Sequence, residues 1–485
     1  AVAAAALKRA KGVPAVGEVV THLKSLPGRS FEDGLAQERA IFLRLRASDE
    51  AAALRHLFFA ERAAQKVPGL AGVAALPVDR IAVIGAGTMG SGIAVACADA
   101  GLPVLLLDRD AAGVAAGRER LRRLYDRQVG AGRLTAERAA ERLARIEITE
   151  NWQGLGRADL AIEAVFEDLA VKSEVLRRLD SLLPPDAVLA SNTSYLDLDA
   201  LAALTTRPES VLGLHFFSPA HVMRLLEVVR GARTAPAVLA TGLSFARRIG
   251  KLPVVAGVCE GFIGNRIFAQ YRRAVEYLVE DGATPQQIDA TLERYGFPMG
   301  PFTVSDLSGL DIAWAMRKRR AATRDPRERY VAIADRLCEA GRLGRKTGRG
   351  WYRYDDGGGP QPDPEVAKVI EEERRAKGIV ARAIADDEIV AQVLAVMANE
   401  AAKILAEGIA LRPSDIDLVL VNGYGFPAVK GGPLHVADRR GLDTVLQDLQ
   451  PMARSAGAGF EPAPLLVRLA ATGSSFAAWQ AQRSA

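Results

Sequence analysis

The sequence feature that most constrains the fold is the hexapeptide GAGTMG, which starts at Gly85. It directly follows the apolar run RIAVI and opens the helical run SGIAVACADA. This placement is typical of a dinucleotide-binding βαβ unit, in which Gly85 makes the tight turn, Gly87 lets the backbone approach a pyrophosphate and Gly90 allows close helix–strand packing. Thr88 and Met89 lie at the helix N-terminus, whose N–H groups and positive dipole end attract phosphates.

Asp108 ends the next apolar run, PVLLLD. A carboxylate there accepts hydrogen bonds from the adenine-ribose hydroxyls and repels a 2′-phosphate, so we expect NAD rather than NADP as the cofactor. The neighbouring Arg109 works against this preference. A glycine-rich turn with a surface aspartate is the alternative interpretation, but strand, glycines, helix and acid all stand in the order that a cofactor site requires.

Further apolar runs follow along the chain: LAIEAV at 160–165, AVLASN at 187–192, SVLGLHFF at 210–217 and PVVA at 253–256. Strands that alternate with helices predict a parallel sheet in an α/β domain. At 485 residues the chain is too long for one core, since single cores stop growing at about 250–300 residues. We therefore predict a Rossmann-type domain at 79–256, followed by mainly helical units at 257–360 and 361–485.

The helical part contains an internal repeat. TPQQID, YGFP and DLSGLD recur as RPSDID, YGFP and DRRGLD in the same order. Such recurrence indicates a duplicated helical unit, and DDGGGPQPDP at 355–364 is a predicted loop between the copies. A duplicated unit can imitate the dimer contact of single-unit relatives, which favours a monomer.

Residues 1–78 are predicted to be a helical lead-in and linker. The segment 31–66 has apolar residues at helical spacing, with a break and a fresh helix start at Ser48-Asp49-Glu50. The stretch VPGLAGVAALPVD reads as a linker because it is rich in Pro, Gly and small residues. The first residues, AVAAAALKRAKG, do not have the order of a signal peptide.

Composition excludes several classes of protein. The 63 basic and 58 acidic residues are mixed along the chain, so we expect a solvated surface and no nucleic-acid partner, although a mild basic bias suits a phosphate-bearing substrate. No continuous apolar run approaches the roughly 18–20 residues of a membrane span. The isolated Cys97, Cys259 and Cys338 argue against a disulfide framework and a Cys-based zinc site, and no metal is expected. We infer a reducing, cytoplasmic and bacterial-like location, and the C-terminus carries no peroxisomal signal.

Five blocks in this order carry a family resemblance: GAGTMGSGIA, LAIEAVFEDLAVK, LASNTSYLDL, GLHFFSPAHVMRLLEVV and GFIGNRIF. The chain resembles the 3-hydroxyacyl-CoA dehydrogenases of fatty-acid β-oxidation over about residues 79–485. The duplicated unit and the helical lead-in resemble the dehydrogenase half of multifunctional enoyl-CoA hydratase/3-hydroxyacyl-CoA dehydrogenase proteins of peroxisomes and bacteria. A hydratase half needs about 200 further residues, so we expect no hydratase chemistry from this chain.

The resemblance implies roles for particular residues. His215 in HFFSP matches the catalytic histidine, and Glu227 in LLEVV matches the acid that pairs with it. Ser194 in SNTS and Asn265 in GNR match the residues that hold the oxygen of the acyl-CoA substrate.

Two further positions match residues that line the nicotinamide side of the cofactor, Glu167 and Lys172. Ser218 departs from the family pattern, since many members have Asn before this proline. Serine is familiar in the multifunctional branch, so we do not interpret the change as a loss of activity.

Oxidation of a secondary alcohol requires a base for the hydroxyl proton, and histidine is the natural base near neutral pH. A carboxylate on the other ring nitrogen of His215 would fix its tautomer and stabilise the imidazolium. Because Asn265 lies just beyond the predicted domain junction, we expect the site in a cleft between the domains. His221, by contrast, is interpreted as a surface or structural histidine.

Each assignment has an alternative. Ser194 also suits a turn or a helix cap, Glu227 a solvated strand edge, and Asn265 a helix surface. Two other functions compete with the first: a β-hydroxyacid dehydrogenase acting on a CoA-free acid, which usually relies on a lysine base, and a non-catalytic NAD(H)-binding protein.

Overall fold

A computed structural model of the chain describes residues 2–10, 13–355 and 358–484. The chain divides into two compact units. The sheet unit comprises Phe59–Arg266 and Glu407–Gly423. The helical unit comprises Ala1–Phe58, Ile267–Ala406 and Tyr424–Ala485.

The sheet unit is built on one sheet of eight strands in the described residues. The strands are β1 (Ile81–Ile84), β2 (Val104–Leu107), β3 (Ile146–Thr149), β4 (Leu160–Glu163), β5 (Val188–Ser191), β6 (Val211–Phe216), β7 (Leu225–Val229) and β8 (Leu252–Ala256). Their order is β3-β2-β1-β4-β5-β6-β7-β8, and every neighbouring pair is parallel except β6 and β7, which run antiparallel. The predicted Rossmann-type sheet is confirmed, with one antiparallel pair added near its end.

Helices connect the strands and form most of the rest of the chain. In chain order they are α1 (Val2–Arg9), α2 (Pro14–Ser25), α3 (Phe31–Arg46), α4 (Asp49–Ala64), α5 (Thr88–Asp99), α6 (Ala111–Gly130), α7 (Ala136–Leu143), α8 (Leu169–Leu182), α9 (Leu198–Ala202), α10 (Pro236–Arg248) and α11 (Gly264–Asp281). They continue as α12 (Pro285–Tyr295), α13 (Pro301–Ser308), α14 (Leu310–Arg320), α15 (Ile333–Glu339), α16 (Pro364–Lys377), α17 (Asp386–Ala406), α18 (Pro413–Gly423), α19 (Pro433–Arg440), α20 (Leu442–Ser455), α21 (Pro464–Ala471) and α22 (Phe476–Ser484).

The predicted strands form where apolar side chains run without interruption. Strands β1, β4, β5, β6, β7 and β8 are buried at every position, as expected for a sheet that is covered on both faces. Strands β3 and β7 are not among the predicted apolar runs; β3 lies at the sheet edge, and its sequence, IEIT, is only partly apolar and partly buried. An edge strand needs less apolar surface and leaves a weaker pattern in the sequence.

The lead-in is helical and breaks where the sequence predicts. Helix α3 ends at Arg46 and α4 begins at Asp49. The Ser48 hydroxyl accepts the Ala51 backbone N–H at 3.2 Å, which is a serine cap of the kind that starts a helix. Residues 67–80 form turns and irregular chain, in agreement with the predicted linker.

The two copies of the repeat meet inside the helical unit through their YGFP segments. A Cβ on Gly296 would lie 3.1 Å from Pro427, and one on Gly425 would lie 3.0 Å from Pro298. The rings of Phe297 and Phe426 lie 5.5 Å apart in an edge-to-face arrangement. The contact is therefore reciprocal: each copy presents the same segment to the other.

An aspartate that recurs in both copies performs the same task in each. Asp306 accepts the backbone N–H groups of Trp351 and Tyr352 at 2.8 and 2.9 Å. Asp438 accepts those of Phe476 and Ala477 at 2.7 and 3.0 Å. The predicted loop between the copies precedes α16, and its residues 356 and 357 lie outside the described part of the chain.

One described helix is long and apolar enough to cross a membrane by length and composition, namely α17. Polar residues interrupt this helix, so it contains no continuous apolar run of that length. However, 78% of its most apolar window is buried inside the protein, which is how the core helix of a folded unit behaves.

Candidate active site

The glycine loop between β1 and α5 has the shape that its sequence requires. Gly85 has φ +101°, and a Cβ there would come within 2.8 Å of the Ala164 carbonyl oxygen. A Cβ on Gly90 would overlap the carbonyl oxygen of Gly85. Gly87 differs, because a Cβ there would meet no atom within 4 Å. The first and third glycines are thus demanded by packing, and the second leaves open space for a ligand.

The N-terminus of α5 is available to an anion. Gly87 is the N-cap and provides no side-chain hydrogen bond, and both Gly87 and Thr88 are exposed, with Met89 half-buried. Uncapped N–H groups at the positive end of a helix dipole bind phosphate oxygens. The loop therefore fits the pyrophosphate of a dinucleotide.

Asp108 follows β2 and supports the same loop. Its Oδ2 accepts the Ala86 N–H at 2.7 Å, and its Oδ1 accepts the Arg109 N–H at 2.8 Å. The Arg109 side chain pairs instead with Asp110, at 2.9 Å. The guanidinium that could have blurred the preference for NAD is thus held by another carboxylate, and Asp108 keeps acceptor capacity for ribose hydroxyls.

His215 and Glu227 lie directly opposite each other in the antiparallel pair β6/β7. Nδ1 of His215 lies 2.6 Å from Oε2 of Glu227, and the two side chains are 4% and 0% exposed. Opposite residues in an antiparallel pair project to the same face. Register therefore makes the pair, and the solvated-edge interpretation of Glu227 is wrong.

The second oxygen of Glu227 is occupied as well. Oε1 accepts the backbone N–H groups of Ile263 and Gly264, both at 3.1 Å. These two residues lie at the start of α11. The carboxylate is consequently fixed in rotation, with one oxygen on two amides and the other on the histidine.

Ser194 lies on the opposite side of the imidazole. Its Oγ is 3.2 Å from Nε2 of His215, so both ring nitrogens have polar neighbours. The three residues form a continuous chain from a half-buried hydroxyl to a fully buried carboxylate. The cap interpretation of Ser194 does not explain this contact.

Glu167 holds the loop that carries Ser194. Its Oε1 accepts the Thr193 hydroxyl at 2.6 Å and the backbone N–H groups of Ser194 and Tyr195 at 2.8 and 3.0 Å. Burial alone would raise the pKa of Glu167, but the nearby Lys172 ammonium and these hydrogen bonds hold that pKa below its ordinary value. The β4 loop and the β5 loop are thereby joined through one carboxylate.

Lys172 is fully buried and lies between two acids. Its Nζ donates to Oε1 of Glu163 at 2.7 Å and lies 3.3 Å from Glu167. Glu163 also accepts the Val165 N–H at 2.8 Å and the Ser191 hydroxyl at 2.7 Å. Sequence reasoning missed Glu163, although an acid inside the apolar run LAIEAV was a signal of a buried, paired carboxylate.

A second missed residue sets the end of β6. The Asn192 side-chain carbonyl accepts the Phe216 backbone N–H at 2.8 Å, which ties the SNTS loop to the strand that carries His215. Asn192 is buried.

Asn265 is the second residue of α11 and is half-buried. It directly follows Gly264, whose N–H is held by Glu227. The start of α11 is thus fixed to the catalytic candidate pair through the backbone.

Two aromatic rings flank the imidazole. The Phe217 ring centroid lies 4.6 Å from that of His215, and the Phe262 centroid lies 5.5 Å away. Phe262 was not predicted; it is fully buried and has φ +46°, a left-handed conformation that non-glycine residues rarely adopt. His221 faces elsewhere: its Nδ1 is buried with no hydrogen-bond partner in the described chain, and burial lowers its pKa.

Family models, related sequences and solved structures resemble this chain. A family model described as the 3-hydroxyacyl-CoA dehydrogenase NAD binding domain matches residues 80–259. A second, described as the 3-hydroxyacyl-CoA dehydrogenase C-terminal domain, matches twice, at residues 261–354 and 389–477. The duplicated unit and the NAD cofactor, both predicted from the sequence, are confirmed.

Similar sequences include the peroxisomal bifunctional enzyme of Cavia porcellus, 41% identical over 438 residues, which cover 87% of this chain and 60% of that protein. The peroxisomal bifunctional enzyme of Homo sapiens is 40% identical over 463 residues, covering 91% of this chain and 64% of that protein. The chain therefore spans roughly three fifths of the length of these curated relatives.

Two solved structures match this chain over nearly their whole length. The 3-hydroxybutyryl-CoA dehydrogenase of Escherichia coli K12 superposes with a TM-score of 0.69 at 29% identity, over 82% of this chain and 99% of that one. The dehydrogenase part of multifunctional enzyme 1 from C. elegans has a TM-score of 0.63 at 29% identity, over 85% of this chain and 96% of that one.

Proposed function

The chain belongs to the 3-hydroxyacyl-CoA dehydrogenase family, and on this premise we propose that it oxidises (3S)-3-hydroxyacyl-CoA to 3-ketoacyl-CoA with NAD in fatty-acid β-oxidation. The observation that carries the proposal is the hydrogen-bonded chain Ser194–His215–Glu227. These three hydrogen-bonded residues lie in the same unit as the glycine loop. A buried histidine with a carboxylate on one nitrogen and a hydroxyl at the other is arranged to move a proton.

His215 acts as the base through Nε2. Glu227 accepts a hydrogen bond from Nδ1–H of His215, which leaves the Nε2 lone pair to take the hydroxyl proton of the substrate. The carboxylate then stabilises the imidazolium that forms, since opposite charges attract strongly at a buried site. When NAD is bound, it supplies the acceptor for the hydride.

Ser194 and Asn265 orient the substrate. The Ser194 hydroxyl lies next to Nε2 of His215, so an alcohol oxygen placed near Nε2 would also come within its reach. Asn265 follows the two amides that Glu227 holds and supplies an amide donor to the same oxygen. On the nicotinamide side of the cofactor stand Glu167, in the loop after β4, and Lys172, in α8.

The assay that tests this proposal follows NADH oxidation with acetoacetyl-CoA and with free acetoacetate. We expect turnover of acetoacetyl-CoA alone. Turnover of acetoacetate would favour a dehydrogenase for CoA-free acids, and turnover of neither would refute both enzymatic functions. His215→Gln should abolish turnover and leave NADH binding intact, whereas unchanged turnover would remove His215 from the mechanism.

We further propose that the chain is a monomer. The reciprocal packing of Gly296 on Pro427 and of Gly425 on Pro298 is the kind of contact that two identical subunits make across a two-fold axis. Here both halves come from one chain. A stable dimer in light scattering would contradict this proposal.

The cellular location of the protein and its lack of enoyl-CoA hydratase activity stay predictions. The named relatives are peroxisomal enzymes; for this chain we propose a reducing, cytoplasmic compartment. Its cysteines are all free, and burial raises the pKa of Cys97 to about 12, which makes that thiol unreactive. A fluorescent fusion that accumulates in an organelle would refute this location, and enoyl-CoA hydration by the purified chain would refute the absence of hydratase chemistry.

A further inference from the structure

Phe166 is displayed to solvent in a way that its surroundings do not explain. Phe166 is 80% exposed, although it lies in the loop between β4 and α8 among buried and ion-paired groups. A single exposed aromatic residue is ordinary on a protein surface. What distinguishes Phe166 is that the backbone on both sides of it is held in place.

The loop around Phe166 is held by hydrogen bonds that involve three carboxylates. Glu163 accepts the Val165 N–H at 2.8 Å, and Glu167 is held by three donors of the β5 loop. The Phe166 carbonyl accepts the Asp168 N–H at 2.8 Å, and Asp168 in turn caps α8. These bonds fix the backbone on both sides of Phe166, whose ring lies exposed.

The position of this loop in the sheet indicates what the ring faces. Strand β4 pairs with β1 on one side and with β5 on the other, with Ile84 opposite Glu163 in register. In a doubly wound sheet the dinucleotide crosses the carboxyl ends of the strands where the strand order reverses, here at β1 and β4. With Asp108 at the end of β2 on the adenosine side, the nicotinamide half lies over β4 and β5.

We propose that Phe166 is the apolar wall against which the nicotinamide riboside half of the bound cofactor packs. The inference rests on the proposed function, because it requires NAD in this crevice. A flat aromatic ring packs well on the flat nicotinamide, and an apolar cover excludes water from the place of hydride transfer. The exposed ring thereby becomes buried only when the cofactor binds.

The test compares two ligands that differ in the nicotinamide half. Phe166→Ala and wild type are titrated with NADH and with ADP by calorimetry, and the fluorescence of bound NADH reports the surroundings of the nicotinamide ring. Burying much of a Phe side chain corresponds to about a tenfold change in affinity. We expect the Kd for NADH to rise about tenfold and the Kd for ADP to stay the same.

A matched control is Leu182→Ala, at the opposite end of α8, where the residue is 37% exposed. It removes a partly exposed apolar side chain from the helix that follows the Phe166 loop, and it should change neither Kd. Phe166→Leu should lie between wild type and Phe166→Ala. Thermal unfolding of Phe166→Ala and Phe166→Leu should be close to that of wild type, because the side chain that they change is exposed.

The outcomes separate the inference from the proposed function. Equal affinity of Phe166→Ala and wild type for NADH, or an equal loss for NADH and ADP, would overturn the inference and leave the dehydrogenase activity standing. A selective loss for NADH in a protein that does not turn over acetoacetyl-CoA would support the inference and refute the activity. A wild type that binds no NADH would overturn both.

Discussion

Replacing Glu227 by glutamine tests the proton chain at its most buried point. Oε1 accepts two backbone N–H groups, from Ile263 and Gly264, so in the variant the amide oxygen must take that position. The opposite orientation would set an NH2 group against two N–H donors, and each buried donor left unsatisfied costs about 1–3 kcal/mol. The NH2 group is therefore directed at Nδ1 of His215, where Oε2 lay at 2.6 Å.

The consequence is a change of tautomer. An NH2 donor at Nδ1 places the histidine proton on Nε2, which then has no lone pair for the substrate hydroxyl. In a serine protease, the same acid-to-amide replacement beside the catalytic histidine lowers kcat about 10⁴-fold with the geometry intact. We expect kcat for Glu227→Gln to fall about 10³–10⁴-fold, which is a barrier higher by about 4–5.5 kcal/mol.

The assay measures kcat with acetoacetyl-CoA beside the Kd for NADH, which should not change. Glu260→Gln removes a carboxylate from an exposed position of the neighbouring segment and should keep kcat close to wild type. A kcat for Glu227→Gln within tenfold of wild type would refute the tautomer argument. A loss of NADH binding in the same variant would show a structural defect and refute the proposed selectivity for the chemical step.

Three further predictions follow from the geometry. Gly87→Ala adds a methyl group in open space, so it should leave the melting temperature unchanged and weaken NADH binding in calorimetry. Gly90→Ala places its methyl group against the Gly85 carbonyl, so it should lower the free energy of unfolding in urea by about 1–3 kcal/mol or more. A larger loss of stability in Gly87→Ala than in Gly90→Ala would contradict the assignment of the loop. The carboxyl pKa of Glu167 is lowered in the folded state, so its charged form contributes stability that is lost as the pH falls below the ordinary value of 4.5. Glu167→Gln should therefore be less stable than wild type above pH 4.5. A stability difference between the two that does not change with pH would contradict this prediction. Burial lowers the pKa of Lys251 to about 8, so between pH 8 and 10.5 this lysine is protonated in the unfolded chain and largely neutral in the folded one. The stability of wild type relative to Lys251→Met should therefore rise with pH over that window, by at most about 1.4 kcal/mol per pH unit. A stability difference that falls with pH would refute this prediction.

Local patterns in the sequence determined much of this protein. The glycine spacing after an apolar run predicts the cofactor loop because Gly85 and Gly90 have no room for a Cβ, a constraint that operates over a few residues. The buried strands are visible as apolar runs, and the repeated YGFP segments reveal the duplication. The resemblance of the five blocks then pointed to His215, Glu227, Ser194 and Asn265.

Only the tertiary structure decided how these residues work together. The twelve-residue spacing permits a strand return that brings Glu227 back beside His215, but it does not fix the antiparallel register that sets the two opposite each other, because register depends on the hydrogen bonds of the packed sheet. For the same reason the sequence did not show the clamp of Ile263 and Gly264 on Glu227. Nor did it show the bonds that fix the β4 loop and leave Phe166 outside. The residue types of the site are a property of the chain, whereas its proton path is a property of the packed sheet.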